Sequence, residues 1–256
     1  MLKLKLTDYS KIAERYDQNP FRQREVQYDK DIEEYISKTA KPSYNILDLA
    51  CGTGLYLNKQ VDNFTVGRIN WHGLDASEEM LKKAKEKITE VSFTHGFAED
   101  MPYTSNTFDF ISNNYAFHHF TKKEEAIDEI HRVLIKGGMY KLHNISIHDM
   151  RQWWVYHYFP SAYEEDLKRY WDKNHIFNEL VKRGFEVDLK IGYRMEEVKV
   201  ADYMVYADNR DISVLTLIND DEYRKGLEKM KVDIKSNPNM RIVNEFAEMF
   251  CLAKKL

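Results

Sequence analysis

The chain alternates between two hydrophobic periods. Short apolar runs end in glycine turns or acids, and amphipathic stretches of helical spacing separate them. "NILDLA", from Asn45 to Ala50, reads as a buried strand running into a glycine turn, and Leu55 to Asn63 as the helix after it. "RINWHGLDAS" is a second strand ending at Asp75. Ser77 then caps "EEMLKKAKEKI", with Glu78 and Glu79 in the first turn and lysines late, as the helix dipole favours. "VSFTHGFA" and "FDFISNNYAF" read as strands three and four. "KKEEAIDEIHRVLI" is an amphipathic helix ended by Gly137-Gly138, and "MYKLHNIS" is a fifth strand. This alternation predicts an α/β fold, a mostly parallel sheet with helices on both faces.

The outer segments follow the pattern less strictly. Thr7 to Lys38 reads as helix from the spacing of Ile12, Tyr16, Val26, Ile32, Tyr35 and Ile36, broken near Asn19-Pro20. "HDMRQWWVYHYFPSAYEEDLKRYW" is aromatic and helical. "HIFNELVKRGFEVDLKIGYR" returns to helix, glycine and strand. Val198 to Pro238 is a further block with one amphipathic helix, "DDEYRKGLEKMKVDI", and "NEFAEMFCLAKK" closes the chain as a strand. The expected organisation is a single domain: a helical cap (1–40), a core (41–147), insertions at 148–174 and 198–240, and core-completing segments at 175–197 and 241–256.

Charge and cysteine usage narrow the function classes. The net charge is −4 over 256 residues, so no basic field suits nucleic acid or an anionic membrane. No stretch approaches the roughly 20 apolar residues of a membrane span. The start has no signal-peptide run. Cys51 and Cys251 form no disulfide framework, and a reducing, cytoplasmic setting is expected. There is no H-E-x-x-H motif or cysteine cluster, so no metal site is expected.

The turn after the first strand carries the chemistry. Gly52 and Gly54 permit backbone angles and a close approach that a Cβ forbids. The run is not a G-x-x-x-x-G-K-[ST] phosphate loop. It departs from the dinucleotide pattern G-x-G-x-x-G, since Leu57 stands at the third glycine. Asp75, roughly 20 residues on, suits a ribose diol, as in either a dinucleotide or a nucleoside cofactor. Asp48 discriminates between them: a carboxylate there repels a pyrophosphate and attracts an ammonium group.

Together, "LDLACGTG", "GLDASEEMLKKAKEK", "THGFAEDMPYTSNTFDFISNNYAFHHF" and "IHRVLIKGGMYKL" resemble, in order and spacing, the motifs of class I S-adenosylmethionine-dependent methyltransferases. The likeness is strongest to their type 11 small-molecule group and covers roughly Tyr44 to Ile145. The resemblance implies a Rossmann-like seven-stranded, mostly parallel sheet with an antiparallel C-terminal strand and helical lid insertions. It implies S-adenosylmethionine as cofactor. Asp48, Ala50, Gly52 and Gly54 would surround its methionine end. Asp75 would bind the ribose, with Ala76 and Met80 near the ribose and adenine. Ala98 and Glu99 would lie at the adenine edge, and Asn114 would face the sulfonium and amino-acid part through its backbone. Tyr115 and His119 would sit at the mouth of the substrate pocket, His119 as a candidate base. Tyr16 is the candidate to cover the methionine end, with Tyr9 and Tyr28 behind it. Two positions depart from the family: Ala50 stands for a usual glycine, and Phe97 stands where many relatives have an acid that bonds the adenine amino group. That contact would then be missing, or Glu99 or Asp100 would supply it, or Phe97 would instead stack on the purine.

The expected activity is methyl transfer to an O, N or C nucleophile of a small, apolar or aromatic metabolite. The aromatic block from Trp153 to Phe159, with Tyr163, Tyr170 and Trp171, suits such a lid, or else a small satellite core. Arg151, Arg194 and Arg210 are candidates to meet an anionic substrate group. The alternative is a cofactor-binding regulatory or partner subunit of the same fold without catalysis. An NAD-dependent oxidoreductase is a more distant reading. Oligomeric state is not readable from the sequence.

Overall fold

The computed structural model describes Asp17, residues 26–64 and residues 68–256. Tyr9 and Tyr16 lie outside the described residues, as does most of the expected first helix. The described part of that segment differs from expectation. Residues 26–29 are not helical, and α1 runs Lys30–Thr39. Asp29 takes the N-cap, its carboxylate accepting from Asp31 N at 3.0 Å and Ile32 N at 3.3 Å, which supplies two of the four orphan donors of a helix start. Tyr28 stacks on Phe64 at 4.7 Å between ring centroids, so it packs against the end of a helix.

The elements that follow are β1 (Ser43–Leu49), α2 (Leu55–Asn63), β2 (Arg68–Asp75), α3 (Glu78–Lys87), β3 (Val91–His95), β4 (Phe108–Asn114), α4 (Lys123–Val133) and β5 (Leu134–Ile145). After them come α5 (Trp154–Tyr158), α6 (Pro160–Arg169), α7 (Lys173–Lys182), β6 (Phe185–Lys199), α8 (Met204–Asp208), α9 (Asp220–Ser236) and β7 (Arg241–Lys255). Two boundaries correct the sequence reading. Gly137-Gly138 do not end a helix; they lie inside β5, because α4 already stops at Val133. The aromatic stretch after β5 is two short helices separated at Phe159-Pro160, where proline opens the second.

The sheet has the order β3-β2-β1-β4-β5-β7-β6, with six parallel strands and β7 antiparallel. Order reverses between β1 and β4, the switch point beyond whose carboxyl ends ligands bind in open α/β sheets. Register brings the relevant residues level: Asp48 pairs with Gly73 and with Ser112, Asp75 with His95, and Asn114 with His143.

Two compact units divide the described chain. Residues to Asn144, with Asn174–Leu189 and Phe250–Leu256, form the one that holds the sheet core. On one face of its sheet, Ile32, Tyr35, Ile46, Leu57, Trp71, Leu81 and Phe110 form a buried cluster. Each such side chain contributes about 1.5–3 kcal/mol by leaving water. The other unit, Ile145–Lys173 with Lys190–Met249, has its own apolar centre. Trp154, Tyr158 and Phe159 are buried there, and Trp153 meets Tyr156 edge-on at 5.1 Å. Most rings of the aromatic block therefore serve as a satellite core. Gly226 of α9 admits that packing: a Cβ there would stand 2.3 Å from the Phe159 ring.

On the α1 face of the sheet lies a buried ion pair. Lys141 Nζ of β5 donates to both oxygens of Asp29 at 2.8 and 2.9 Å, and reaches Asp31 at 2.7 Å. Burial alone would lower the Lys141 ammonium, but the paired carboxylates outweigh it and hold it above its ordinary value. Lys141→Met is expected to destabilise the protein by about 3–5 kcal/mol, because the buried Asp29 carboxylate then loses its cation. Adding Asp29→Asn should recover much of that loss. Urea unfolding midpoints at pH 7 measure both, and a wild-type midpoint for Lys141→Met would contradict the assignment.

Candidate functional site

The site grows from the turn after β1. Ala50, Gly52 and Gly54 all lie at positive φ, at 62°, 54° and 75°. For Ala50 this left-handed conformation costs about 1–2 kcal/mol, so the surroundings must impose it. They do so from β2: Cys51 N donates to Leu74 O at 3.0 Å, and Gly52 N donates to Asp75 Oδ2 at 2.8 Å. The other Asp75 oxygen accepts from Ser77 N at 2.9 Å. One carboxylate thus fixes both the turn and the start of α3. Gly54 has a second reason to be glycine, since a Cβ there would lie 3.1 Å from both Ala84 Cβ and Ile88 Cδ1. The missing Cβ of Gly52, by contrast, faces open space. That is room above the turn for a bound group to approach the backbone.

The top of the turn is tied to the N-terminal segment. Thr53 Oγ1 and Lys87 Nζ both bond the Asp17 carboxylate, and Lys87 Nζ also reaches Thr53 O at 2.9 Å. Asp17 is the residue after the candidate Tyr16.

Two carboxylates flank this turn, Asp48 in the strand before it and Asp75 at the end of the neighbouring strand. Asp48 is buried, 3% exposed. Ser112 Oγ of β4 donates to it at 3.3 Å. Burial pushes its carboxyl well above the usual range, and the neighbouring Asp75 and Asp29 push the same way. Asp75 is also raised by burial, against which the backbone donors of Ser77 and Gly52 act. Tyr56 of α2 lies against Ser112 and donates its hydroxyl to Asp29. A polar chain therefore runs from Asp48 through Ser112, Tyr56 and Asp29 to Lys141. The lysine is bound at the far end, so the ligand side of Asp48 is left acidic. Such a site favours a cationic ligand and disfavours a phosphate.

The strand ends complete the picture. Asn113 Nδ2 donates to Leu49 O at 2.7 Å, fastening β4 to β1. The neighbouring Asn114 Nδ2 is buried and has no hydrogen-bond partner among the described residues, a donor held ready at the switch point. Tyr115 sits at φ 52°. Its side chain turns to β5, with its hydroxyl 3.2 Å from His143 Nε2. Phe250 stacks on His143 at 4.4 Å. His118 is buried with Nδ1 3.2 Å from Asn144 Oδ1. His119 is half-buried, its ring 3.9 Å from that of His118. Met80 is buried in the first turn of α3, its N–H capped by Ser77 Oγ at 3.2 Å, while Ala76 is exposed.

Beyond β3, Ala98 is buried and Phe97 is exposed. Glu99 has a role the sequence reading missed. Its Oε1 accepts from Thr121 N at 2.8 Å, Thr121 Oγ1 at 3.0 Å and Lys122 N at 3.2 Å, capping α4, whose own N-cap Lys122 makes no side-chain cap bond. Ser112, Tyr56 and Lys141 were also missed. A serine and a lysine inside otherwise apolar strands were the available signals. For Tyr56 the sequence carries none.

Burial holds the Cys51 thiol well above its ordinary value, which makes it inert. Among the described residues no group of three or more His, Cys, Asp or Glu side chains suits a metal ion, and no helix is long and apolar enough to cross a membrane. In the other unit, Arg151, Gln152, Tyr156, His157, Ile242 and Val243 line a cleft of about 340 Å³. Of the other candidate arginines, Arg194 lies over the Phe246 ring and Arg210 over the Tyr223 ring.

Residues 46–138 match a family described as a methyltransferase domain. The ubiquinone/menaquinone biosynthesis C-methyltransferase UbiE of Campylobacter jejuni is 32% identical over 113 residues, which is 43% of this chain and 48% of that protein. The chain spans about half the length of the curated relatives it matches. Among solved structures, a putative methyltransferase from an antibiotic biosynthesis pathway of Anabaena variabilis superposes with a TM-score of 0.69 at 20% identity, covering 89% of this chain and 98% of that one. Phosphoethanolamine N-methyltransferase 2 of Haemonchus contortus, in complex with S-adenosyl-L-methionine, gives 0.54 at 16% identity, covering 88% and 53%. Both share the fold.

Asp48 is held at a cost to stability. Its folded-state pKa is raised, so the native state binds the proton more tightly than the unfolded chain does. The cost is full above the folded pKa and vanishes below the unfolded value of about 3.9. Asp48→Asn is therefore expected to raise Tm at pH 7–8 by roughly 2–4 °C, about 1 kcal/mol. The gain should shrink as pH falls toward 4. Calorimetric scans across that range test it, and a lower Tm for the variant at pH 8 would reverse the conclusion.

Proposed function

The chain carries a methyltransferase domain of the class I, type 11-like kind, and from this premise we propose that it moves a methyl group from S-adenosylmethionine to a small metabolite. The observation that carries the cofactor is the pair of carboxylates, Asp48 and Asp75, around a left-handed turn with open space at Gly52. Those residues fit a nucleoside that bears an amino acid and no phosphate.

S-adenosylmethionine, when bound, would supply an electrophilic sulfonium methyl for transfer to the acceptor. The protein's work is to position and to exclude water. Asp48 meets the ammonium of the methionine end, and the ligand's charge offsets what burial costs that carboxylate. Ala50, Gly52 and Gly54 bring the backbone close. Asp75 accepts from the backbone of Gly52, Ser77 and Ala76, which leaves part of its roughly four acceptor sites for ribose hydroxyls. Met80 and Ala76 flank the ribose and base, Ala98 and Glu99 form the purine edge, and the unpartnered Asn114 amide serves the amino-acid end.

The acceptor is an O, N or C nucleophile of an apolar or aromatic small molecule. The relative named for C-methylation in ubiquinone and menaquinone biosynthesis supports an acceptor of that character. A base is needed only where the nucleophile carries a proton to lose. We assign that part to His119, half-buried beyond β4. Tyr115, held by His143, lines the acceptor side. The site belongs to a cytoplasmic enzyme that works without a metal ion.

Calorimetry is expected to show binding of S-adenosylhomocysteine and none of NAD. Asp75→Ala should weaken that binding by about 10- to 100-fold, the value of hydrogen bonds to a charged group. Labelled S-adenosylmethionine incubated with a metabolite extract should yield S-adenosylhomocysteine and a product heavier by one methyl. Binding of NAD alone, or an unchanged Asp75→Ala affinity, would overturn the assignment. Cofactor binding with no labelled product from any extract would indicate a non-catalytic subunit.

A further inference from the structure

We propose that Phe97 holds the cofactor's purine by its ring face, and that no side-chain carboxylate reads the amino group at C6. The inference deepens the cofactor reading above and rests on it. Its first support is placement. Asp75, the ribose acid of that reading, is level with His95 on the neighbouring strand, and adjacent strands lie about 4.8 Å apart. His95 Nε2 bonds Ala76 O at 3.1 Å, which fixes the end of β3 against the residue after Asp75. Phe97 follows two residues later. A base one glycosidic bond from a ribose at Asp75 falls beside it.

The second support is the state of the ring. Phe97 is 58% exposed. It stands 6.3 Å from the His95 ring, tilted by 56°. Its main chain is set by a tight turn, with Asp100 N donating to Phe97 O at 3.2 Å. An anchored backbone carrying an open aromatic face beside a nucleoside site is a stacking platform.

The third support concerns the carboxylates that would otherwise read the base. Glu99 turns to the start of α4, where its Oε1 takes three donors. Asp100 is exposed. Stacking is tolerant of ring substituents, whereas a polar group built to accept from an amino group rejects a ligand that lacks it. The purine subsite should therefore hold bases that differ at C6 almost equally well.

The test uses calorimetry on the whole protein with two probes: S-adenosylhomocysteine and its analogue with hydrogen in place of the 6-amino group. The wild type should bind the two within about threefold of each other, and Phe97→Ala should weaken both by about tenfold or more, the scale of a lost base stack. Phe97→Asp should gain a preference for the amino form of about fivefold or more, as an added acceptor would. An exposed position makes these variants safe for folding. A wild-type preference for the amino form above about tenfold, or unchanged affinities in Phe97→Ala, would overturn the inference while leaving the cofactor reading intact. Failure of the wild type to bind S-adenosylhomocysteine at all would overturn the cofactor reading and this inference with it.

Discussion

One carboxylate organises the site. Asp75 accepts from Gly52 on one side and Ser77 on the other, so the turn after β1 and the helix after β2 share a single anchor. Without it the turn would keep only the Cys51 N to Leu74 O bond as its tie to β2, against an Ala50 conformation that is costly by itself. The anchor is itself half-buried and desolvated. A ligand hydroxyl added to it completes a shell that the backbone has begun.

Asp48 poses the opposite problem. It is buried with one weak donor and near other acids. The protein places its counter-charge, Lys141, at the far end of a chain of hydroxyls, locked to Asp29 and Asp31. That arrangement spends the cation on Asp29 and Asp31 and leaves none for Asp48. Stability is given up at the position where a ligand can return it, the usual pattern at sites selected for binding. The polar chain also joins the N-cap of α1 to the centre of the sheet, so the packing of the first described helix and the electrostatics of the site rest on the same residues.

The core was readable because its strands and helices carry clean periods. β1 through β4 fell where apolar runs, caps and glycines placed them, and the order of motifs gave the fold and the cofactor. What could not be read depended on contacts distant in sequence. Glu99 looks like a site acid, yet it caps a helix that begins two dozen residues later, because Lys122 makes no side-chain cap bond of its own. Gly137-Gly138 look like a helix stop, but strand pairing absorbed them. The aromatic run at Trp153–Phe159 reads equally as lid or as core, since ring count says nothing about what the rings face. Its burial favours the core. Tyr56 sits on a helix whose period gives no hint that its hydroxyl turns to a buried acid.

The turn after β1 also dictates an order of assembly. Its closing bonds come from Leu74 and Asp75, so the segment that most defines the site cannot settle when it is made. It must wait for the next strand to be synthesised and docked. Until then three residues of unfavourable or undirected conformation remain loose at the end of β1. The site is local in sequence but non-local in energy, and a nascent chain stopped before β2 has the motif without the structure.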